Sequence, residues 1–115
     1  MKYIKVKDKE YPAKFNPRVI INWEDATGLI WAEIIPTVDD KGNTVPAKVK
    51  ANKKQDLMIS YEMLKEGHRI ERKEFKLSFM DVVDLAGVSD LEAQISKVLI
   101  NSFTENVDTE KKPKA

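Results

Sequence analysis

The hydrophobic period of this chain changes once, at Asn16-Pro17, and that change limits the fold to a small strand unit followed by helices. Ahead of it, Ile4 and Val6 and then Tyr11, Ala13 and Phe15 recur two apart around Lys7-Asp8-Lys9, the alternation of a β-hairpin. Pro12 has no N–H to donate, so the second strand must be an edge or turn that nitrogen outward. Behind the change, Asn16 can cap a helix, and Pro17 suits the first helical position, where an N–H has no intrahelical partner anyway. Val19, Ile20, Trp23 and Thr27 follow at helical spacing, and Gly28 supplies the left-handed residue that ends many helices. A helix is therefore predicted over 17–27.

The run 29–35 is apolar beyond what one face needs and stops at Pro36; a short helix and an extended segment both fit it. From 37 to 54 turn-forming residues and lysines without amphipathic period predict a mobile loop. Asp56 can cap a helix whose main face is Leu57, Tyr61 and Leu64 and which ends at Gly67, with Ile59 and Met63 on another side. A short strand is expected at 74–77. Ser78 with Asp81, and Ser89 with Glu92, have the spacing of capping boxes, so helices should start at about 79 and 90. The first ends near Gly87; the second carries the one-sided stripe Leu91, Ile95, Val98, Leu99 and Phe103. Residues 105–115 bury nothing and read as a disordered tail. The fold class is α+β, mainly α: an N-terminal β-hairpin and about four helices packed as a single globular domain over 1–104, because 115 residues supply one core.

Composition subtracts most chemistry. Without cysteine there are no disulfides, thiol nucleophiles or cysteine-type zinc sites. The single histidine, His68, follows a glycine in a charged stretch and reads as a surface residue; one imidazole among solvated carboxylates does not make a metal site. Glu24-Asp25 would diverge on a helix and cannot form an acid–base pair, and Asp39-Asp40 falls in the loop. No phosphate-cradling glycine loop or G-x-S-x-G nucleophile motif occurs. No catalytic residue, cofactor or metal ligand is predicted, and an enzyme is not expected. No run approaches the ~18 apolar residues of a membrane span, and the start of the chain lacks an export signal, so a cytoplasmic protein without membrane contact is expected.

Nucleic acid is a weak partner on the same grounds. Twenty basic and 19 acidic residues leave a net charge of +1. Lys48, Lys50, Lys53 and Lys54 form the one basic cluster legible in the sequence, and no aromatic residues interleave for base stacking. Residues 79–103, with Leu85-Ala86-Gly87-Val88-Ser89 and then Ser96-Lys97-Val98-Leu99, resemble the helix-turn-helix of lactose-repressor-type regulators. Two extra residues before Ile95 rotate the second half by roughly 200° at about 100° per residue. Asp90 and Glu92 open the would-be reading helix, where carboxylates oppose phosphate. A small DNA-binding regulator using 79–103 stands as the alternative function.

The apolar surplus is more informative. Trp31 and Ile35 lie beside the predicted loop and Ile59 and Met63 form a second helix stripe, more than a domain this small need cover. They either complete the core or contact a partner, and Trp31, Ile35, Ile59 and Met63 are the predicted partner-binding residues.

Read in order, four segments resemble the tail assembly chaperones of long-tailed, siphovirus-type bacteriophages and prophages of Gram-positive bacteria. They are Lys9-Glu10-Tyr11-Pro12-Ala13-Lys14-Phe15-Asn16, Glu24-Asp25-Ala26-Thr27-Gly28, Asp56-Leu57-Met58-Ile59-Ser60-Tyr61-Glu62-Met63-Leu64 and Met80-Asp81-Val82-Val83-Asp84-Leu85. The likeness spans most of 3–103 and does not cover 37–53. It implies a non-enzymatic protein of the host bacterial cytoplasm that binds the tape measure protein, keeps it soluble and promotes assembly of the tail tube protein around it. It also implies absence from the mature virion, and partnership with a frameshifted longer form of itself; homo-oligomerisation stays open. If this chain is the short form of such a pair, Glu110-Lys111-Lys112 suits an A-rich slippery site, and the gene is then expected to carry a slippery heptamer there and an overlapping downstream frame. Sequencing the locus checks this, and the absence of both features rejects it.

Overall fold

The two-residue alternation and the helical period each form where the sequence places them. In the computed structural model, which describes the backbone of residues 2–111 and the side chains of residues 2–102, β1 (Lys2–Val6) and β2 (Lys9–Ala13) pair antiparallel, with Val6 opposite Lys9 and Lys2 opposite Ala13. Ile4, Val6 and Ala13 are buried, and Lys7 turns the chain with a left-handed φ of 56°. Helix α1 (Pro17–Thr27) begins and ends as predicted. The Asn16 side chain accepts from the Val19 N–H at 3.2 Å, and Gly28 closes the helix at φ 75°.

The run after α1 resolves into a single helical turn, α2 (Trp31–Ile34). The Glu24 carboxylate of α1 accepts its first N–H, from Trp31, at 2.8 Å. The expected loop over 37–54 is partly structured. Strands β3 (Thr37–Val38) and β4 (Thr44–Val45) form a small hairpin, because Asp39 accepts the Lys41 and Asn43 N–H groups at 2.9 Å and Gly42 supplies φ 84°. Val49 N–H then bonds the Glu33 carbonyl of α2 at 3.0 Å.

Helix α3 (Lys53–Ile70) is longer at both ends than its sequence signals suggest. Asn52, and not Asp56, is the cap, exchanging side-chain bonds with Gln55 in both directions at 2.8 Å. At the other end Gly67 does not stop the helix. Lys73 N–H reaches the His68 carbonyl at 2.9 Å and Arg72 N–H the Arg69 carbonyl at 3.1 Å, a Schellman closure with Arg72 at φ 58° in the place usually held by glycine. Gly67 serves packing instead: a methyl group there would overlap the Pro12 carbonyl and lie 2.6 Å from the Ala13 nitrogen. The hairpin thus lies backbone against backbone on α3, and Lys14 N–H donates to the Met63 carbonyl at 3.1 Å.

No strand forms at 74–77; the segment has no regular secondary structure, and Phe75 packs against Tyr61 and His68. Helix α4 (Phe79–Gly87) carries the predicted Ser78–Asp81 capping box. In α5 (Leu91–Lys111) the second predicted box does not form, because Glu92 turns away to Lys53 at 2.6 Å. Ser89 Oγ accepts from Leu91 N–H and donates to the Leu85 carbonyl. Gln94 uses both ends of its amide on the Lys5 backbone, at 2.8 and 2.7 Å, so β1 is held to α5 by a side chain that pairs as a strand would. The helical backbone continues beyond residue 104, where the tail was expected to start, because neither glycine nor proline occurs between Leu91 and Lys112. The side chain of Phe103 and the tail residues 112–115 lie outside the described residues.

The hairpin and five helices share one core: Ile4, Val6, Phe15, Val19, Trp23 and Trp31 from the first half meet Met63, Leu64, Val82, Leu91, Ile95 and Val98 from the second. Trp23 is fully buried and donates its indole N–H to the Gln55 carbonyl at 2.9 Å, and Trp31 packs edge-on to it with ring centroids 5.4 Å apart. The fold is α+β and mainly α.

Gly67→Ala should lower unfolding stability in urea by about 2 kcal/mol or more, because a backbone cannot yield as a side chain can. Arg72→Gly should raise it by about 0.5–1 kcal/mol through relief of the left-handed φ. An unchanged urea midpoint for Gly67→Ala would contradict the close approach.

Candidate partner-binding surfaces

Of the four residues predicted to meet a partner, the structure withdraws two. Met63 is fully buried and Trp31 is 7% exposed, both within the core, so neither is available at the surface. The apolar surplus arises because α3 is enclosed by the hairpin, α1, α4 and α5, and a helix enclosed in this way needs apolar residues around most of its girth. Ile35 and Ile59 are half-buried and pack on the edge of the core.

Ile59 does reach a groove. Between α3 and α5 it lines a hollow of 300 Å³ with Ile95, Leu99, Ser60 and Ser96, and Asp56 and Glu92 stand at its mouth. Asp56 also lines a second hollow of 410 Å³ formed with Ile34, Ala47, Val49 and Ala51, so the two meet at its carboxylate. Burial pushes the Asp56 carboxyl above the usual range and the neighbouring Glu92 adds to this, while Lys53 opposes it. Ile95 and Leu99 were legible only as core positions of α5; their share in the groove comes from the angle at which α5 meets α3.

A second groove runs between α1 and α3, with a volume of 480 Å³. Arg18 and Asn22 of α1 face Lys65 and Arg69 of α3, and Lys73 and Phe75 close one end. Two buried carboxylates lie under this rim. Glu66, 3% exposed, takes two bonds from the Arg69 guanidinium at 2.7 Å and one from the Asn16 amide at 2.6 Å. The Arg69 bonds hold its carboxyl below the usual range against the opposing effect of burial. Glu62, 5% exposed, has Lys65 at 3.7 Å and the Asn22 side chain beside it, and its Oε1 accepts no hydrogen bond. Burial pushes its carboxyl up, with Lys65 opposing. Sequence reading missed this groove because Arg18 is remote from the other cations along the chain, while Lys65, Arg69 and Lys73, four residues apart, lie among Glu66, Glu71 and Glu74.

His68 corrects the surface expectation. It is 8% exposed, its Nδ1 lies 2.7 Å from the Leu64 carbonyl and its ring rests between Phe75 and Tyr11, which makes it a satisfied core histidine. Among the described residues no group of three or more His, Cys, Asp or Glu is placed to hold a metal ion. No helix among them is long and apolar enough to cross a membrane. The α4–α5 pair meets through the turn at 88–90, but Leu91, Ile95 and Val98 are committed to the core. Residues 79–102 present Asp81, Asp84, Asp90 and Glu92 against the single cation Lys97, a surface that repels phosphate.

No protein-family model matches the chain, and comparisons with curated proteins and with solved structures return no match either.

The two buried carboxylates respond to pH in opposite senses. Glu66, whose folded value is depressed, adds stability above its ordinary value of 4.5 and loses it as pH falls through the folded one. Glu62, whose folded value is raised from 4.5, favours the fold only below that pH, and the contribution disappears as pH rises through the folded value. Glu62→Gln should therefore raise stability by about 1 kcal/mol at pH 7 and by little near pH 4, since an amide keeps the shape without the charge. Urea midpoints at the two pH values check this; equal shifts at both would show that the charge is not the cause.

Proposed function

We propose that this protein is a non-enzymatic tail assembly chaperone of a long-tailed phage or prophage. It binds the tape measure protein in the host cytoplasm, keeps it soluble and promotes assembly of the tail tube around it. The observation that supports this most is the groove between α3 and α5, where the half-buried Ile59 and Leu99 form apolar walls over the buried Ile95, the kind of surface an apolar helix face can enter. A chaperone for long apolar helices needs such a groove more than it needs reactive groups, and the chain's resemblance in the order of its segments to tail assembly chaperones agrees with that chemistry. Asp56 at the mouth favours a segment with a cation flanking its apolar stripe, since Glu92 beside it is already paired with Lys53.

Blocking the groove is a better test than removing buried residues. Trp31→Ala and Met63→Ala cut into the core and should each cost about 3 kcal/mol of stability, which would confound any binding result. Ser96 is exposed and lines the groove, so Ser96→Arg fills it without touching the core. Co-expressed with the tape measure protein encoded beside its gene, the native chain should keep that protein in the soluble fraction. Ser96→Arg should reduce the soluble amount about tenfold, the effect of roughly 1.4 kcal/mol of lost binding, with its own melting temperature unchanged. Equal solubility with native chain, Ser96→Arg variant and no chaperone would reject the function; equal and full solubility with both forms of the chain would reject the groove alone.

A further inference from the structure

The groove between α1 and α3 is built at a cost that packing does not explain. Moving a carboxylate out of water is unfavourable unless its partners compensate, and two carboxylates, Glu62 and Glu66, are buried one helical turn apart beneath this groove. Each lies three residues before a cation on its rim: Glu62 before Lys65, Glu66 before Arg69. The Glu66–Arg69 pair is two-pronged, through Nε and Nη2, and fixes the guanidinium plane at the edge of the groove. Arg18 on the opposite wall and Lys73 at the end have no carboxylate within ion-pair distance among the described residues; Lys73 lies over the Tyr3 ring at 5.4 Å. Four cations over two buried anions leave the groove with an excess of about two positive charges.

We propose that this groove is a binding site for an acidic peptide segment, in which two neighbouring carboxylates pair with Arg18 and Lys73 while an apolar side chain rests on Phe75. The distribution of the cations favours a peptide over a compact anion. Lys65 and Arg69 stand one turn apart on α3, about 6 Å along the axis, Arg18 faces them from α1 and Lys73 lies beyond the helix end. Such a spread matches charges carried along a chain, and Phe75 offers an apolar wall that a phosphate would not use. The site lies on a different side of α3 from the apolar groove and does not depend on the tail-chaperone reading.

The test uses the full chain, ¹⁵N-labelled, titrated at low ionic strength with an acetylated, amidated Glu-Glu-Leu-Glu peptide and, separately, with inorganic pyrophosphate. Amide shifts confined to the groove are expected with the peptide. Arg18→Ala with Lys73→Ala should weaken binding by about tenfold or more, as for loss of charge-assisted hydrogen bonds. The control, Lys48→Ala with Lys50→Ala, removes the same charge from exposed positions outside the groove and should change affinity less than about twofold. Equal weakening by both double variants, or shifts scattered over the surface, would reduce the effect to non-specific attraction and overturn the proposal. Tighter binding of pyrophosphate than of the peptide would overturn the peptide assignment, and no shift with either probe would overturn the site. Since Arg18 and Lys73 are exposed rim residues, thermal melting of the double variant confirms that a loss of binding is not a loss of fold.

Discussion

The contact between Gly67 and the Pro12 carbonyl sets the position of everything else. A glycine inside a helix costs about 1 kcal/mol relative to alanine, and here it admits the backbone of β2 to within van der Waals distance of the α3 backbone. Once β2 rests there, Lys14 reaches the Met63 carbonyl, Ile4 and Val6 of β1 face the core, and the outer edge of β1 meets Gln94 of α5. The hairpin would otherwise be a two-stranded ribbon of marginal stability. Docked on α3 on one side and bonded by a glutamine on the other, it becomes part of the core.

That contact also fixes which way each side of α3 looks. At about 100° per residue, Gln55, Glu62, Glu66 and Arg69 share a side turned to α1, Tyr61 and His68 share a second turned to Phe75 and α4, and Asp56, Ile59, Met63 and Gly67 share a third. The three sides lie roughly 120° apart. On the third side α5 covers the early turns and the hairpin the late ones. Both grooves are consequences of this register: one forms where α5 leaves α3, the other where α1 does. A one-residue shift of α3 would rotate Glu62, Glu66 and Arg69 together by about 100°, away from α1, and remove the register on which both grooves depend.

Much of this was legible wherever one residue type settles a local geometry. Asn16-Pro17 and Gly28 bound α1, and Ser78 with Asp81 opens α4, because each satisfies a backbone group within a few residues. The failures share a cause, namely that a tertiary partner competed for the same residue. Gly67 reads as a helix stop from sequence, yet its missing Cβ is used by Pro12. Glu92 has capping-box spacing, yet Lys53 takes its carboxylate. His68 reads as solvated among its charged neighbours, yet Phe75 and Tyr11 cover it. The apolar surplus was real, but Trp31 and Met63 belong to the core, since a helix enclosed on three sides has no spare face. Of the predicted contact residues Ile59 lines the groove between α3 and α5, with Ile95 and Leu99 brought beside it by the crossing of α5.

Net charge proved the least informative sequence quantity for the same reason. A total of +1 suggests a chain without a field, but charges act over about a Debye length, some 8–10 Å at ordinary ionic strength, so what counts is their grouping in space. From 77 to 96 there is no lysine or arginine, and Asp81, Asp84, Asp90 and Glu92 fall within that stretch, Glu92 paired with Lys53 from α3. Arg18, Lys65, Arg69 and Lys73 gather at another groove although Arg18 is remote from the rest along the chain. The charges are thus unevenly grouped, though pairs such as Lys53–Glu92 and Arg69–Glu66 join the two signs. Near-neutrality therefore describes the sum of two local fields, one unsuited to nucleic acid and one suited to carboxylates, and the apolar groove between α3 and α5 opens on the acidic side.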